Sequence, residues 1–141
     1  MANAIATAFL NGILGSHATR VDLDTDTIKL ALIDHGTATP LPASHAFYSS
    51  FNTGLVGALS TALGTKTIGS VGIGVFDAAD LAPAMTAVSG NSAESLVMIK
   101  DTGAAATSDF ICYWDTATGL PLTPNGGDVN VTFNASGIIK V

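Results

Sequence analysis

The sequence predicts a mainly β fold: an antiparallel β-sandwich of jelly-roll type that carries a short N-terminal helix. Three observations point to it. Several short segments repeat apolar residues with the two-residue period of a strand. Glycine-containing turn sequences punctuate them, as in Asp101-Thr102-Gly103 and Asn125-Gly126-Gly127, where glycine supplies a positive φ without steric cost. Regular helices of about 10 to 15 residues do not separate the strands, which argues against a parallel α/β sheet.

Asn3 to Leu14 reads as the helix. Ile5, Phe9 and Ile13 recur every fourth residue, with Leu10 and Leu14 beside them, and alanines at 2, 4, 6 and 8 favour helix. Asn3 is placed to cap it and Gly15 to close it in the left-handed conformation. From residue 25 the signal changes to strand. Thr27 to Asp34 puts Ile28, Leu30 and Leu32 on one face. Ser70 to Phe76 alternates Val71, Ile73 and Val75 with Gly72 and Gly74, which suggests a bent strand. Glu94 to Lys100 is nearly continuously apolar, as expected of a strand buried on both faces. Asp109 to Asp115 sets Phe110, Cys112 and Trp114 on one face and Ile111 and Tyr113 on the other. Asp128 to Asn134 alternates Val129, Val131 and Phe133 with Asn130, Thr132 and Asn134, and Gly137 to Val141 adds an edge strand. Gly36 to Pro42 is a loop, Ala43 to Ser50 could form a helical turn, and Leu55 to Leu63 suits either a helix or an extended segment. No linker, charge run or long-period repeat divides the chain. Residues 1–20 therefore read as a helix or arm, and residues 21–141 as one sandwich domain.

Composition bounds the function. The chain has 141 residues, 48% of them hydrophobic, enough for a packed core. Charged residues make up 11%, against roughly 25% in an average soluble domain. Five Lys and Arg against eleven Asp and Glu give a net charge of −6, and five dispersed cations cannot build the basic face of an electrostatic nucleic-acid binder. The apolar N-terminus lacks the basic leader of a secretory signal, its first cation being Arg20. No run reaches the about 18 to 20 apolar residues that span a bilayer. The chain is expected to be soluble, made in the cytoplasm, and held in a homo-oligomer or stable complex, since so weakly charged a surface suits an assembly.

Candidate chemistry is sparse. Asp22, Asp24 and Asp26 have the spacing that opens a calcium loop, but Thr27 stands where its glycine belongs and Ile33 where its closing glutamate belongs, so an EF-hand is excluded. The run reads best as a solvated turn. His17, His35 and His45 lack zinc spacing with Cys112, and no metal or cofactor is expected. Cys112, the one cysteine, alternates with Phe110 and Trp114 and reads as a buried structural thiol. No Gly-x-Ser-x-Gly elbow occurs, and Gly69, Gly72 and Gly74 have the wrong spacing for a dinucleotide loop. Asp77, Asp80, Glu94, Asp101, Asp109, Asp115 and Asp128 supply carboxylates for glycosidase chemistry, but most flank expected turns. No catalytic residue is assigned. Phe47, Tyr48 and Phe51, with Tyr113 and Trp114, are the aromatics best placed for a surface patch, the alternative being that their loop folds back and buries them. The candidate partner-binding residues are Ile5, Phe9 and Ile13 of the helix, and Phe47, Tyr48 and Phe51.

Three stretches carry a resemblance. They are Thr-Asp-Thr-Ile-Lys-Leu-Ala-Leu-Ile-Asp at 25–34, Ser-Ala-Glu-Ser-Leu-Val-Met-Ile-Lys-Asp-Thr-Gly at 92–103, and Tyr-Trp-Asp-Thr-Ala-Thr-Gly-Leu-Pro-Leu-Thr-Pro-Asn-Gly-Gly-Asp-Val-Asn-Val-Thr-Phe at 113–133. From about residue 20 onward the chain resembles small virion structural proteins of tailed bacteriophages, of the kind that cement or decorate the capsid. The resemblance implies a non-enzymatic protein on the outer capsid surface, a trimer bridging subunits of the major capsid protein, with no nucleic-acid or membrane partner. Two other readings stand beside it. A host-surface or glycan-binding module of a phage tail or fibre would line a groove with exposed aromatics. An enzyme acting on cell-wall polymer would bring two acids together in a cleft.

Overall fold

Ile28 to Ile33 and Ser95 to Lys100 are mostly apolar runs, and they find each other. In the computed structural model, which describes residues 3–15 and 21–141, they form β2 (Ile28–Ile33) and β7 (Ser95–Lys100), antiparallel over their whole length. Before β2 come β1 (Ala4–Ile5) and α1 (Thr7–Ile13). Between β2 and β7 lie β3 (Leu55–Val56), β4 (Thr67–Ile68), β5 (Val75–Asp77) and β6 (Leu81–Met85). After β7 follow β8 (Phe110–Trp114), β9 (Val129–Val131) and β10 (Ile139–Lys140). The strands form an antiparallel five-stranded sheet in the order β1-β8-β7-β2-β3, a three-stranded sheet β10-β5-β4 and a two-stranded sheet β6-β9. Among the described residues the fold is mainly β with one short α-helix, as the sequence predicts, and its layers are arranged like a sandwich.

Directly opposed residues share a sheet face. One face of the central sheet carries Leu32, Leu96 and Trp114 in a row across β2, β7 and β8, with Leu30, Met98 and Cys112 beside them. The other carries Ala31, Ile33, Val97, Ile99 and Tyr113. Both faces are covered, so β2 and β7 are buried almost throughout. A register shift changes the expected pattern of β8. Met98 faces Cys112 but Ile99 faces Phe110, which leaves Ile111 as an extra residue. One added residue reverses every side chain beyond it. Phe110 therefore lies with Tyr113, on the face opposite Cys112 and Trp114.

The N-terminal segment also departs from expectation. Helix spans Thr7–Ile13, while Ala4 and Ile5 are extended and pair with Tyr113 and Cys112 of β8. Pairing along the open edge of β8 overrides the weak preference of alanine for helix. Asn3 does not cap the helix. Its Oδ1 accepts from the Asp115 and Thr116 N–H groups at 3.0 and 3.2 Å, and from the Thr116 hydroxyl at 2.9 Å. Gly15 does close the helix, with φ +89°. Met1, Ala2 and residues 16–20, including His17 and Arg20, lie outside the described residues, as does the boundary drawn at residue 20.

Leu55 to Leu63 is extended rather than helical. Beyond β3 it tracks β2, with the Ser60 N–H donating to Leu30 O and the Leu63 N–H to Ile28 O, each at 2.9 Å. Ser70 to Phe76 is not one strand: residues 69–74 form the loop of the β4–β5 hairpin and only Val75–Asp77 is strand. Glycines that leave nothing to pack favour this loop over a pleated strand. β6 is a strand the sequence reading did not contain, and its Pro83 cannot donate to a ladder. It survives as an irregular strand paired only with β9. Gly137 to Val141 supplies the expected edge strand, β10, beside β5.

Candidate functional site

The row Leu32, Leu96 and Trp114 forms one wall of an open groove of about 760 Å³. β9 and the residues after it form the opposite wall, where Val129, Val131 and Phe133 face inward. Their alternation with exposed Asn130, Thr132 and Asn134 is the one read from the sequence, but the apolar members are only half-buried. The connection between β8 and β9 closes one end with Leu120 and Leu122. It is pinned by reciprocal bonds between Ala93 and Leu122, at 2.9 Å from the Ala93 N–H and 2.8 Å from the Leu122 N–H. The Phe133 N–H donates to Asp80 Oδ1 at 2.8 Å, which fixes the far wall. No residue lining the groove is charged. Asparagine and threonine side chains edge an apolar floor, as in many recognition grooves.

Beside the groove stands an exposed tip. Gly137 and Ile138 line the groove, and an added Cβ on Gly137 would lie 2.1 Å from Val75 Cγ1 and 3.4 Å from Val71 Cγ2. The 69–74 loop therefore packs directly against the groove's rim. The Gly69 N–H donates to Val75 O at 2.8 Å and the Val141 N–H to Gly74 O at 3.0 Å, so the loop is held to β5 and to the C-terminal residue. Ile73 sits at its end, 96% exposed, with Ile68, Val71 and Val141 also exposed nearby in the chain or its pairing. Thr67 to Phe76 contains no charged residue.

The residues singled out by sequence fall in different places. Phe51 is fully buried, its ring edge-on to Phe110 at 4.8 Å and to Tyr48 at 5.5 Å. Tyr48 is buried too, Phe47 is half-buried, and this aromatic loop folds back over the central sheet. The Tyr48 hydroxyl has no hydrogen-bond partner, and burial, with the nearby charge of Asp101, pushes its pKa up to about 12. In α1, Phe9 is buried and Ile13 is exposed; Ile5 lies in β1, half-buried. Thus the six candidates form no common surface: Ile13 is exposed, while Phe9, Tyr48 and Phe51 belong to the core. Tyr113 is buried as well, which leaves Trp114 as the aromatic that lines the groove, joined by Phe133.

The ionisable groups serve the strand ends. Asp22 Oδ1 accepts from the Asp24 and Thr25 N–H groups at 3.1 and 3.2 Å, and Asp26 pairs with Lys100 at 2.9 Å, so the alternating aspartates build a turn. Lys29 pairs with Asp101 at 2.7 Å. His35 stacks on Tyr113 and its Nε2 lies 2.9 Å from Ser95 Oγ, where Ser95 is fully buried. Burial pushes the Cys112 thiol well up, which keeps it protonated and unreactive. Among the described residues no group of three His, Cys, Asp or Glu side chains could hold a metal ion. No described helix is long and apolar enough to cross a membrane.

The groove and tip were only partly visible in the sequence. The Asp128 to Asn134 alternation marks the groove wall, but nothing local says that Leu32, Leu96 and Trp114 align opposite it. Ile73 was assigned to a strand, although three glycines between 69 and 74 are the signal of a loop. No protein-family model matches the chain, and no curated protein matches it.

Proposed function

We propose that the protein is a non-enzymatic structural component of a bacteriophage virion, a capsid cement or decoration protein that works by adhesion. The observation that carries the adhesive part is Ile73, a large apolar side chain held in water by a braced loop beside an uncharged apolar groove. Ile68, Val71 and Val141 are exposed with it, and exposed apolar groups grouped in this way mark contact surfaces. The capsid assignment rests on the resemblance of residues 25–34, 92–103 and 113–133. In that role the densely paired central sheet is the stiff body, and homo-oligomers, trimers by the resemblance, bridge major capsid subunits on the outer shell. Low charge lowers the desolvation cost of such flat contacts.

Purified particles of the phage that carries the sequence test this reading. Stoichiometric presence of the chain in particles, with earlier thermal rupture of particles lacking it, is the expected result. Presence only in lysate, or only in the tail, would contradict it.

A second reading has one observation in its favour: Trp114 and Phe133 line a groove edged by Asn130 and Asn134, the aromatic and amide chemistry that suits a sugar. This is the glycan-binding module of a tail or fibre. Binding of a glycan array by folded protein, lost in Trp114→Ala, would favour it over the capsid role.

A further inference from the structure

We infer that His45 is a pH-sensitive clasp on the turn that seats the first residue of α1. The inference is independent of the capsid reading and starts from the segment Pro40-Leu41-Pro42. Proline has no N–H, so Leu41 carries the one main-chain donor of that tripeptide. It donates to His45 Nδ1 at 3.1 Å. In return Leu41 O accepts from the Ser44 and His45 N–H groups at 3.0 and 2.8 Å, which closes the turn. The His45 ring is half-buried and stacks on the core ring of Phe51 at 5.9 Å, which limits its rotation. Pro40 and Pro42 are buried, and Pro42 O accepts from the Thr7 N–H at 2.8 Å. Thr7 is the first residue of α1, where an N–H has no partner within the helix. The turn supplies the partner that the helix cannot.

The proton chemistry follows from the donor. A nitrogen that accepts an N–H carries no proton, so the neutral His45 ring bears its proton on Nε2. A second proton can add only at Nδ1. The imidazolium then sets one N–H against another, and the Leu41 bond is lost. Imidazole is the side chain whose charge ordinarily changes between about pH 5 and pH 8. Acidification through that range opens the turn and loosens its hold on Thr7. The change stays local, because the Ala6 N–H still donates to Ile111 O at 2.8 Å and Phe9 stays buried. Few ionisable groups bear on the ring. α1 carries none. The elements packed on this loop bring Asp109, bridged to Phe47, and Tyr48, whose ring meets Phe51 edge-on, with Asp101 near Tyr48. The clasp thus sets how firmly the helix that presents Ile13 to solvent is held at its start.

An NMR titration of the isotope-labelled full chain, from about pH 7.5 to about pH 5, tests the clasp above the range where carboxyl groups ordinarily titrate. At the upper end the His45 ring is expected as the Nε2–H tautomer. On acidification the Leu41 and Thr7 amide signals are expected to move with the His45 ring, at one midpoint. Their hydrogen exchange, corrected for the intrinsic effect of pH, is expected to speed up at least about threefold. Two variants separate the clasp from a general effect of acid. His45→Asn, whose side-chain oxygen accepts but does not titrate, is expected to hold exchange at Leu41 and Thr7 constant over the range. His45→Ala is expected to show the fast exchange at both ends. His35, whose Nε2 lies 2.9 Å from Ser95 Oγ, is the internal control, and neither variant should change its titration. An Nδ1–H tautomer at the upper end overturns the inference. So do Leu41 and Thr7 amides that ignore the His45 midpoint, or a His45→Asn protein that keeps the wild-type pH dependence. Where a variant fails to fold, the tautomer and the shared midpoint in the wild type decide alone.

Discussion

The side-chain amide of Asn91 donates to Asp34 Oδ2 at 2.8 Å, across the ends of two adjacent strands. The bond is answered in the reverse direction: the His35 N–H donates to Glu94 Oε2 at 2.8 Å. Together they latch the segment after β2 to the segment before β7, where the ladder ends at Ile33 and Ser95.

The latch predicts acid sensitivity. The Asn91 amide, then the Thr37 hydroxyl and the Gly36 N–H, hold the Asp34 carboxyl below its ordinary value, and the bond from Lys29 does the same for Asp101. A carboxyl depressed by folding contributes stability that is whole above the unfolded value of about 3.9 and is lost as pH falls through the lower folded value. Melting temperature is expected to fall between about pH 5 and pH 2. Asp34→Asn should melt lower at neutral pH and lose part of that acid dependence. An acid profile identical to wild type would show that Asp34 does not contribute.

The aromatic loop is a core element rather than a docking loop. Phe51→Ala removes a fully buried ring from contact with Phe110 and Tyr48 and is expected to cost about 3–5 kcal/mol in chemical denaturation. Ile13→Ala, at a largely exposed position, is expected to stay within about 0.5 kcal/mol of wild type. Comparable losses at both positions would contradict the placement of the loop.

Two glycines should be irreplaceable for different atoms. Gly74 has φ +72° and an added Cβ would sit 2.5 Å from Val141 O; Gly137 has φ +101° and an added Cβ would sit 2.1 Å from Val75 Cγ1. Alanine at either is expected to cost about 1–3 kcal/mol or more. Gly64→Ala meets nothing within 4 Å and should be near neutral. Denaturant midpoints for the three variants check the ordering.

What the sequence could reveal was local. Ile28–Ile33 was legible from the alternation of Ile28, Leu30 and Leu32, and Ser95–Lys100 because a strand buried on both faces is nearly continuously apolar. The turns at Gly103 and Gly126 were legible because their backbone needs glycine, and both have positive φ. The bulge at Ile111 left no mark, since Phe110 to Trp114 reads as unbroken alternation whichever face each residue takes. Ala4–Ile5 was misread because alanine signals helix while the open edge that recruits it lies more than 100 residues away at Tyr113 and Cys112. The groove escaped for the same reason. Leu32, Leu96 and Trp114 become one wall only through register, which no single segment contains.

Sedimentation equilibrium of the wild-type protein over a wide concentration range is the most direct measurement of whether this molecule works by adhesion to its own kind. A closed multimer of one stoichiometry, dissociating to monomer only on dilution, is predicted. A monomer at every concentration, with Ile73 still in water, would contradict the account.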